Sequence, residues 1–291
     1  SILESGDFVW RGSYSDQAAY VSPMPYWLMA AFSYPQGYVS AFTSRLPSAL
    51  AFFVLIGCIL AFFGKRIEKF QEAFITTCLL ATSIGIHLSA MTAGTYMVAA
   101  MFIVLGLIQL YRWEEFLELK GLPVMIPILL GCTVLTTGPM GLILPLVTFG
   151  IYLFTLGKYH WRTILKALLY IGVSSLFIPL LWYIAVWQNN GSEFLSAMAP
   201  VHCSEFFSLK AGEKVWHRLV QLVINLLPWT LILVFSLFGL EKGQSGSTSK
   251  VSLKDTWTKI RNMEKVRLFS LVIAVCFLIF YLIPYDKGNV Y

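Results

Sequence analysis

Charged side chains are scarce in this sequence: Asp, Glu, Lys and Arg make up 12% of its 291 residues, whereas soluble domains carry roughly a quarter. That scarcity excludes an ordinary water-soluble globule, and a 57% hydrophobic composition with a mean hydropathy of +0.72 points the same way. No CxxC pair occurs among the five cysteines, so neither a zinc ribbon nor a redox pair is supported. Cys58, Cys78, Cys132 and Cys276 fall in apolar runs, where they read as small packing residues, and Cys203 falls in a polar segment. The absence of a P-loop, GxGxxG, HExxH or GxSxG signature leaves nucleotide-dependent, metalloprotease and serine-hydrolase chemistry without support. Basic residues do not interleave with a stacking platform, so no nucleic-acid partner is expected.

What the sequence does contain is a series of uncharged runs at 46–63, 73–91, 93–111, 121–157, 167–187, 219–240 and 268–285. A hydrocarbon core of roughly 30 Å takes about 20 helical residues at about 1.5 Å each. The run at 121–157 is too long for one span, and Thr136, Thr137, Gly138 and Pro139 predict a tight turn that divides it. The fold class is therefore all-α, a polytopic transmembrane helical bundle of about eight spans with extracytoplasmic interfacial helices. Residues 1–45 form a first extracytoplasmic loop and 46–291 the bundle, with an outer loop at 188–218 and a cytoplasmic loop at 241–267.

Cations set the orientation, because cytoplasmic loops retain Lys and Arg. Placing 64–72 inside also places 112–120, 158–166 and 241–267 inside, and these four loops hold 15 of the 21 Lys and Arg residues. The net charge of +6 thus reflects topology. The basic loop at 241–267 reads as a tether near anionic lipid. Ser1 is preceded by no visible signal peptide and starts on the outer side, which predicts an upstream span in a longer protein; the end at DKGNVY predicts that the chain continues.

Polar residues that a bilayer does not explain mark chemistry, and they concentrate in two outer segments. The first holds Glu4, Asp7, Arg11, Asp16 and Arg45; the second holds Glu193, His202, Glu205, Lys210, Glu213, Lys214, His217 and Arg218. Each has a plainer reading. Lys210 to Arg218 also fit the solvated face of a short amphipathic helix, and Tyr26, Trp27, Trp182, Tyr183, Trp187, Trp216 and Trp229 fit an interfacial aromatic belt. His87 fits a satisfied polar group at a helix end.

Several stretches together resemble lipid-linked sugar transferases of the GT-C type, in the family that joins protein O-mannosyltransferases and lipid A aminoarabinose transferases. SGDFVW at 5–10 resembles the family's Ser-Gly-Asp-Trp-Val, PMPYWL at 23–28 its Pro-Pro-Leu-x-Tyr-Trp-Leu, and SRLPSAL at 44–50 its Arg-Leu-Pro-Ser-Ala. TTGPMGLILP at 136–145 resembles its Thr-Lys-Gly-Pro-x-Gly, and LLPW at 226–229 its Leu-Pro-Trp. IPYDKGNVY at 283–291 resembles a basic segment that normally continues as Tyr-Leu-Leu-Pro. The order and spacing hold over almost the whole chain.

The resemblance implies transfer of a sugar from a polyprenyl-phosphate donor to a lipid A-like glycolipid or protein acceptor outside the cytoplasmic membrane. Such a transfer takes a base for the acceptor and a cation for the departing phosphate, a role that a divalent metal also fills. On this resemblance Asp7 and Asp16 are the acid or base candidates. Tyr20, Tyr26, Arg45, Lys210, Lys214, Arg218 and Lys287 are the substrate-binding candidates, and His202 and Glu205 are the metal candidates. Membrane lipids are the surrounding partners and no nucleotide cofactor is implied. The catalytic acidic residue of the family falls, by register, before Ser1.

The departures are specific. The Glu-Lys pair of aminoarabinose transferases falls on Tyr20 and Val21, Thr137 stands where Lys is usual, and Thr92 stands where a helix-end Asp often stands. Val201 and Glu205 replace Glu and Arg around His202. Neither Tyr20 nor Val21 replaces the missing charge. Two other classes therefore remain: a non-catalytic protein that binds polyprenyl phosphate or assists envelope assembly, and a transporter, which would need ionisable or broken helices near the midplane.

Overall fold

The structure is a computed structural model that describes residues 23–67, 70–188, 215–231 and 263–282. Among these residues every regular element is a helix. Ten α-helices follow in order: α1 Pro23–Ser33, α2 Ala41–Gly64, α3 Phe70–Ala81, α4 Ile84–Met91, α5 Tyr96–Leu117, α6 Met125–Thr137, α7 Met140–Leu156, α8 Trp161–Gln188, α9 Val215–Asn225 and α10 Lys265–Leu282. A short 3-10 turn, Tyr34–Gln36, joins α1 to α2.

Helices α2, α5, α8 and α10 are long and apolar enough to cross a membrane singly, and α3 with α4 passes as one span bent by 60°. The chain is accordingly a multi-pass membrane protein. The long run at 121–157 is divided as its sequence predicts, into α6 and α7. At 13 and 17 residues these helices reach only about 20 and 26 Å, so neither crosses roughly 30 Å of hydrocarbon unaided.

Helix ends depart from the apolar runs for identifiable reasons. Helix α2 begins at Ala41, before the apolar run, because Ser40 and Thr43 form a reciprocal capping box: Thr43 N–H donates to Ser40 Oγ at 3.1 Å and Ser40 N–H to Thr43 Oγ1 at 3.0 Å. Helices α5, α8 and α10 extend through the charged residues that bound their apolar runs, since a charge ends a hydrophobic stretch without ending a helix. Pro23 and Pro25 stand in the first turn of α1, where the N–H groups lack intrahelical partners, so proline starts this helix rather than blocking it.

The break between α3 and α4 carries neither glycine nor proline. Thr82 and Ser83 turn their hydroxyls back onto the carbonyls of Cys78 and Leu79, at 2.6 and 2.9 Å. Ile84 N–H donates instead to Leu227 O, at 3.0 Å, and Trp229 Nε1 donates to Thr82 Oγ1 at 2.9 Å. Competition for the backbone bonds, together with an outside partner, bends the span. The span expected over 219–240 opens with the 11-residue α9, which stops at Asn225 because Pro228 follows and disfavours helix at Leu227. Residues 232–240 lie outside the described residues.

The core lies between α5, α6, α7 and α10, where Tyr111, Trp113, Phe149, Tyr152 and Phe269 are fully buried and pack ring on ring. Close approach fixes several glycines. A Cβ on Gly131 would meet Ser175 O of α8 at 3.1 Å, and one on Gly106 would meet Leu130 at 2.9 Å.

The loops singled out for their cations meet at one end of this bundle. Arg66, after α2, forms a forked ion pair with Glu115 of α5 and lies over the Phe62 ring at 4.3 Å. Lys158, before α8, pairs with Glu118 at 2.9 Å, and its hydrogen bond and charge hold the Glu118 carboxyl below its ordinary range. Arg267 of α10 reaches Glu72 of α3 at 3.7 Å. In the middle Glu114 is fully buried: Tyr159 and Tyr152 donate hydroxyls to it at 3.2 and 3.4 Å, and Lys158 and Lys265 stand 3.9 and 3.8 Å from its Oε1. The four free cysteines of the apolar runs lie within helices, Cys78 on an exposed face.

Candidate functional site

The opposite end of the bundle gathers four of the sequence stretches that carry the family resemblance. PMPYWL forms the start of α1, which packs against α2 and α6. Its Tyr26 and Trp27 are half-buried, and Ser33 at its far end is fully buried with its hydroxyl on Thr43 Oγ1 at 2.8 Å. This hydroxyl contact ties α1 to the capping box of α2.

SRLPSAL forms the second and third turns of α2. Pro47 and Ser48 are buried, Ser48 donates to Gly94 O in the α4–α5 link at 3.3 Å, and Arg45 is exposed. The helix cap therefore sets where Arg45 stands, exposed at this end of the bundle.

TTGPMGLILP makes the α6–α7 turn. Gly138 has φ 72° and ψ −160°, a conformation open essentially to glycine alone, and Pro139 follows as the N-cap of α7. Gly141 lies so close to α6 that a Cβ there would stand 2.5 Å from Thr133 O. The Thr133 hydroxyl bridges the two helices by donating toward Gly141 O, at 2.7 Å. A Gly-Pro-x-Gly sequence is thus what this tight hairpin requires. Thr137, where the resembling family has Lys, is exposed and returns its hydroxyl to Thr133 O at 3.0 Å; Thr92 is likewise exposed.

LLPW follows α9, and its contacts to Thr82 and Ile84 pin the bent span. A Cβ on Gly85 of α4 would stand 2.8 Å from Asn225 Cβ, which shows how closely α4 and α9 approach. On α9 itself, Trp216, Val220, Val223 and Ile224 are exposed, while Arg218 is 7% exposed and its Nη1 donates to Tyr281 O at 3.2 Å. An apolar face turned outward and an arginine turned inward is the arrangement of a helix bordering lipid. Arg218 thus links α9 to a backbone carbonyl of α10.

Of the residues marked in the sequence, Tyr26, Arg45 and Arg218 are described, all at this end. Asp7, Asp16, Tyr20, His202, Glu205, Lys210, Lys214 and Lys287 lie outside the described residues. Among the described residues no group of three His, Cys, Asp or Glu side chains is placed to hold a metal ion; the metal candidates His202 and Glu205 lie outside them. His87, read as a helix-end polar group, is exposed in α4 with its ring edge-on to Phe52 at 6.4 Å. Sequence reasoning missed the bond from Trp229 to Thr82 and the buried Glu114. A Thr-Ser pair inside an apolar run is the signal for the first; an acidic pair beside a cationic loop is the signal for the second.

No protein-family profile matches the chain, and no curated protein matches it in sequence. Two solved structures match its fold. The crystal structure of ArnT from Cupriavidus metallidurans in the apo state superposes with a TM-score of 0.70 at 18% identity, covering 99% of this chain and 49% of that one. The same protein bound to undecaprenyl phosphate gives 0.72 at 19% identity, covering 99% of this chain and 50% of that one. The chain thus spans about half the length of ArnT, which is a GT-C lipid A aminoarabinose transferase. At these identities the likeness is one of fold: the chain is an all-α membrane bundle with an ArnT-like fold.

Proposed function

We propose that this chain belongs to an integral membrane glycosyltransferase that moves a sugar from a polyprenyl-phosphate donor to a glycolipid or protein acceptor on the outer side of a cytoplasmic membrane. The observation that carries the reading is the fold match over 99% of the chain to a protein bound to undecaprenyl phosphate. Two features support the side. The cationic loops converge at one end, which the preference of Lys and Arg for the cytoplasm makes the inner one. The family-like stretches gather at the other.

The short α6–α7 hairpin supports a recess at that outer end. If its inner ends stand at the bilayer boundary, the Thr136–Pro139 turn stops about 5–10 Å short of the far boundary, by the helix rise. Polar backbone at that depth is tolerated where it lines a cavity or is covered by protein. Arg45 enters as a cation toward the departing phosphate, with Lys287 in the same role and Tyr26 on the rim. Arg218 ties α9 to α10 by donating to the Tyr281 carbonyl. Asp7 or Asp16 serves as the base, with His202 and Glu205 toward the acceptor or a metal.

Replacing Arg45 or Lys287 by Ala in the complete protein is expected to lower sugar transfer about tenfold or more, as the loss of one charge-assisted contact in a dry site does. Unchanged rates in both variants would remove these residues from the phosphate site. The loss of the Glu-Lys pair at Tyr20 and Val21 favours a second reading, a binder without turnover. Donor consumption by the purified complete protein separates the two.

A further inference from the structure

Four described cations at the inner end have acidic partners: Arg66 on Glu115, Lys158 on Glu118, Lys265 beside Glu114 and Arg267 between Glu72 and Glu264. Lys65, Arg112, Lys120, Arg162 and Lys166 have none among the described residues, and of these Arg162 and Lys166 share one helix, α8. Both are exposed, they stand four residues apart and so share a face one turn from each other, and among the described residues neither has an acidic partner. The Arg162 guanidinium lies 5.6 Å from the exposed Trp161 ring.

The face continues away from that end as an apolar ridge. Leu165, Leu169 and Val173 follow at four-residue spacing and are 49, 59 and 72% exposed, with Phe177 and Leu180 beyond them. Helix α8 has 28 residues, about 42 Å, against roughly 30 Å of hydrocarbon and about 40–45 Å with headgroups. Its first turns therefore stand at headgroup level, and the ridge stands at acyl-chain level. Charge at one level and aliphatic surface at the next match an anionic lipid, whose phosphate carries the charge and whose chains bury the ridge.

We propose that Arg162 and Lys166 form a binding site for the phosphate of an anionic phospholipid in the leaflet at this end, with Trp161 beside the headgroup and an acyl chain along Leu165, Leu169 and Val173. The two donors fit a phosphodiester between them, the guanidinium as a planar fork and the ammonium as a point charge. Nothing in this assignment depends on the donor reading, since it concerns the opposite end of the bundle.

The test is a lipid titration of the complete protein in mild detergent, followed by native mass spectrometry, with phosphatidylglycerol and phosphatidylcholine of the same chain length as probes. Phosphatidylglycerol is expected to bind about tenfold more tightly than phosphatidylcholine. The double variant Arg162→Gln with Lys166→Gln is expected to lose that preference while keeping its phosphatidylcholine adducts. Lys65→Gln with Arg112→Gln removes the same charge from exposed inner-end positions and is expected to keep the preference. A preference that survives the first double variant, or falls equally in both, overturns the site. Displacement of phosphatidylglycerol by millimolar inorganic phosphate overturns the lipid assignment by showing a site for free anions; resistance to it supports the lipid.

Discussion

Gly141→Ala is expected to lower the yield of folded protein several-fold and to depress its thermal midpoint. The new Cβ would stand 2.5 Å from the Thr133 carbonyl oxygen, 2.6 Å from its carbon and 2.6 Å from Thr137 Oγ1. Two of these atoms are backbone in α6, so no rotamer change relieves the overlap. Moving α7 away would break the Thr133 hydroxyl bond to Gly141 O and disturb a turn already confined by Gly138 and Pro139. Overpacking of this kind costs about 3 kcal/mol or more when backbone must shift, a large part of a typical stability. Gly57→Ala provides the control, because nothing lies within 4 Å of a Cβ there. Expression level and thermal midpoint in detergent are the readouts. Equal behaviour of the two variants would show that the α6–α7 approach is looser than described.

Glu114→Ala is the second large effect. The carboxylate is buried between the hydroxyls of Tyr152 and Tyr159 and within 4 Å of two ammonium groups. Its removal leaves two hydroxyls without their acceptor and two lysines without a shared anion. Both lysines are half-exposed, so water recovers part of the ionic loss. The uncompensated Tyr152 hydroxyl is fully buried, and the total is about 2 kcal/mol. Glu114→Gln keeps an acceptor and is expected to lose about half as much. The thermal midpoint should therefore rank wild type above Gln above Ala. A Gln variant as damaged as Ala would mean that charge, not hydrogen bonding, holds this end together.

The sequence disclosed the parts of the fold that rest on composition. Apolar length marked α2, α5, α8 and α10 and the bent pair α3–α4 among the described residues, fewer than the roughly eight spans expected, and Gly138-Pro139 marked the hairpin, because those residues allow few backbone conformations. The convergence of the cationic loops followed from counting Lys and Arg, and the structure gives it a partner set in Glu72, Glu114, Glu115 and Glu118. Other parts depended on tertiary partners. Thr82-Ser83 bends a helix only with Leu227 and Trp229 beside it, and both are more than 140 residues away in the chain. Arg218, read as a ligand-facing cation, was ambiguous because its helix carries other charges. The Tyr281 carbonyl gives it a partner on α10 that no local pattern announces.

The candidate site was legible as a location. PMPYWL, SRLPSAL, TTGP and LLPW do meet at one end, since each contains the proline, glycine or aromatic residue that its local geometry uses. PMPYWL, at 23–28, starts α1 with its two prolines in the first turn. The chemistry was less legible, because the acidic and metal-binding candidates occupy polar segments whose placement no periodicity fixes.

Native mass spectrometry of the complete, mildly extracted protein with added undecaprenyl phosphate tests the central claim most directly. The account predicts a retained polyprenyl-phosphate adduct, weakened by Arg45→Ala and unchanged by the Arg162→Gln, Lys166→Gln double variant. Retention of bulk phospholipid alone, with added undecaprenyl phosphate left unbound, would contradict it.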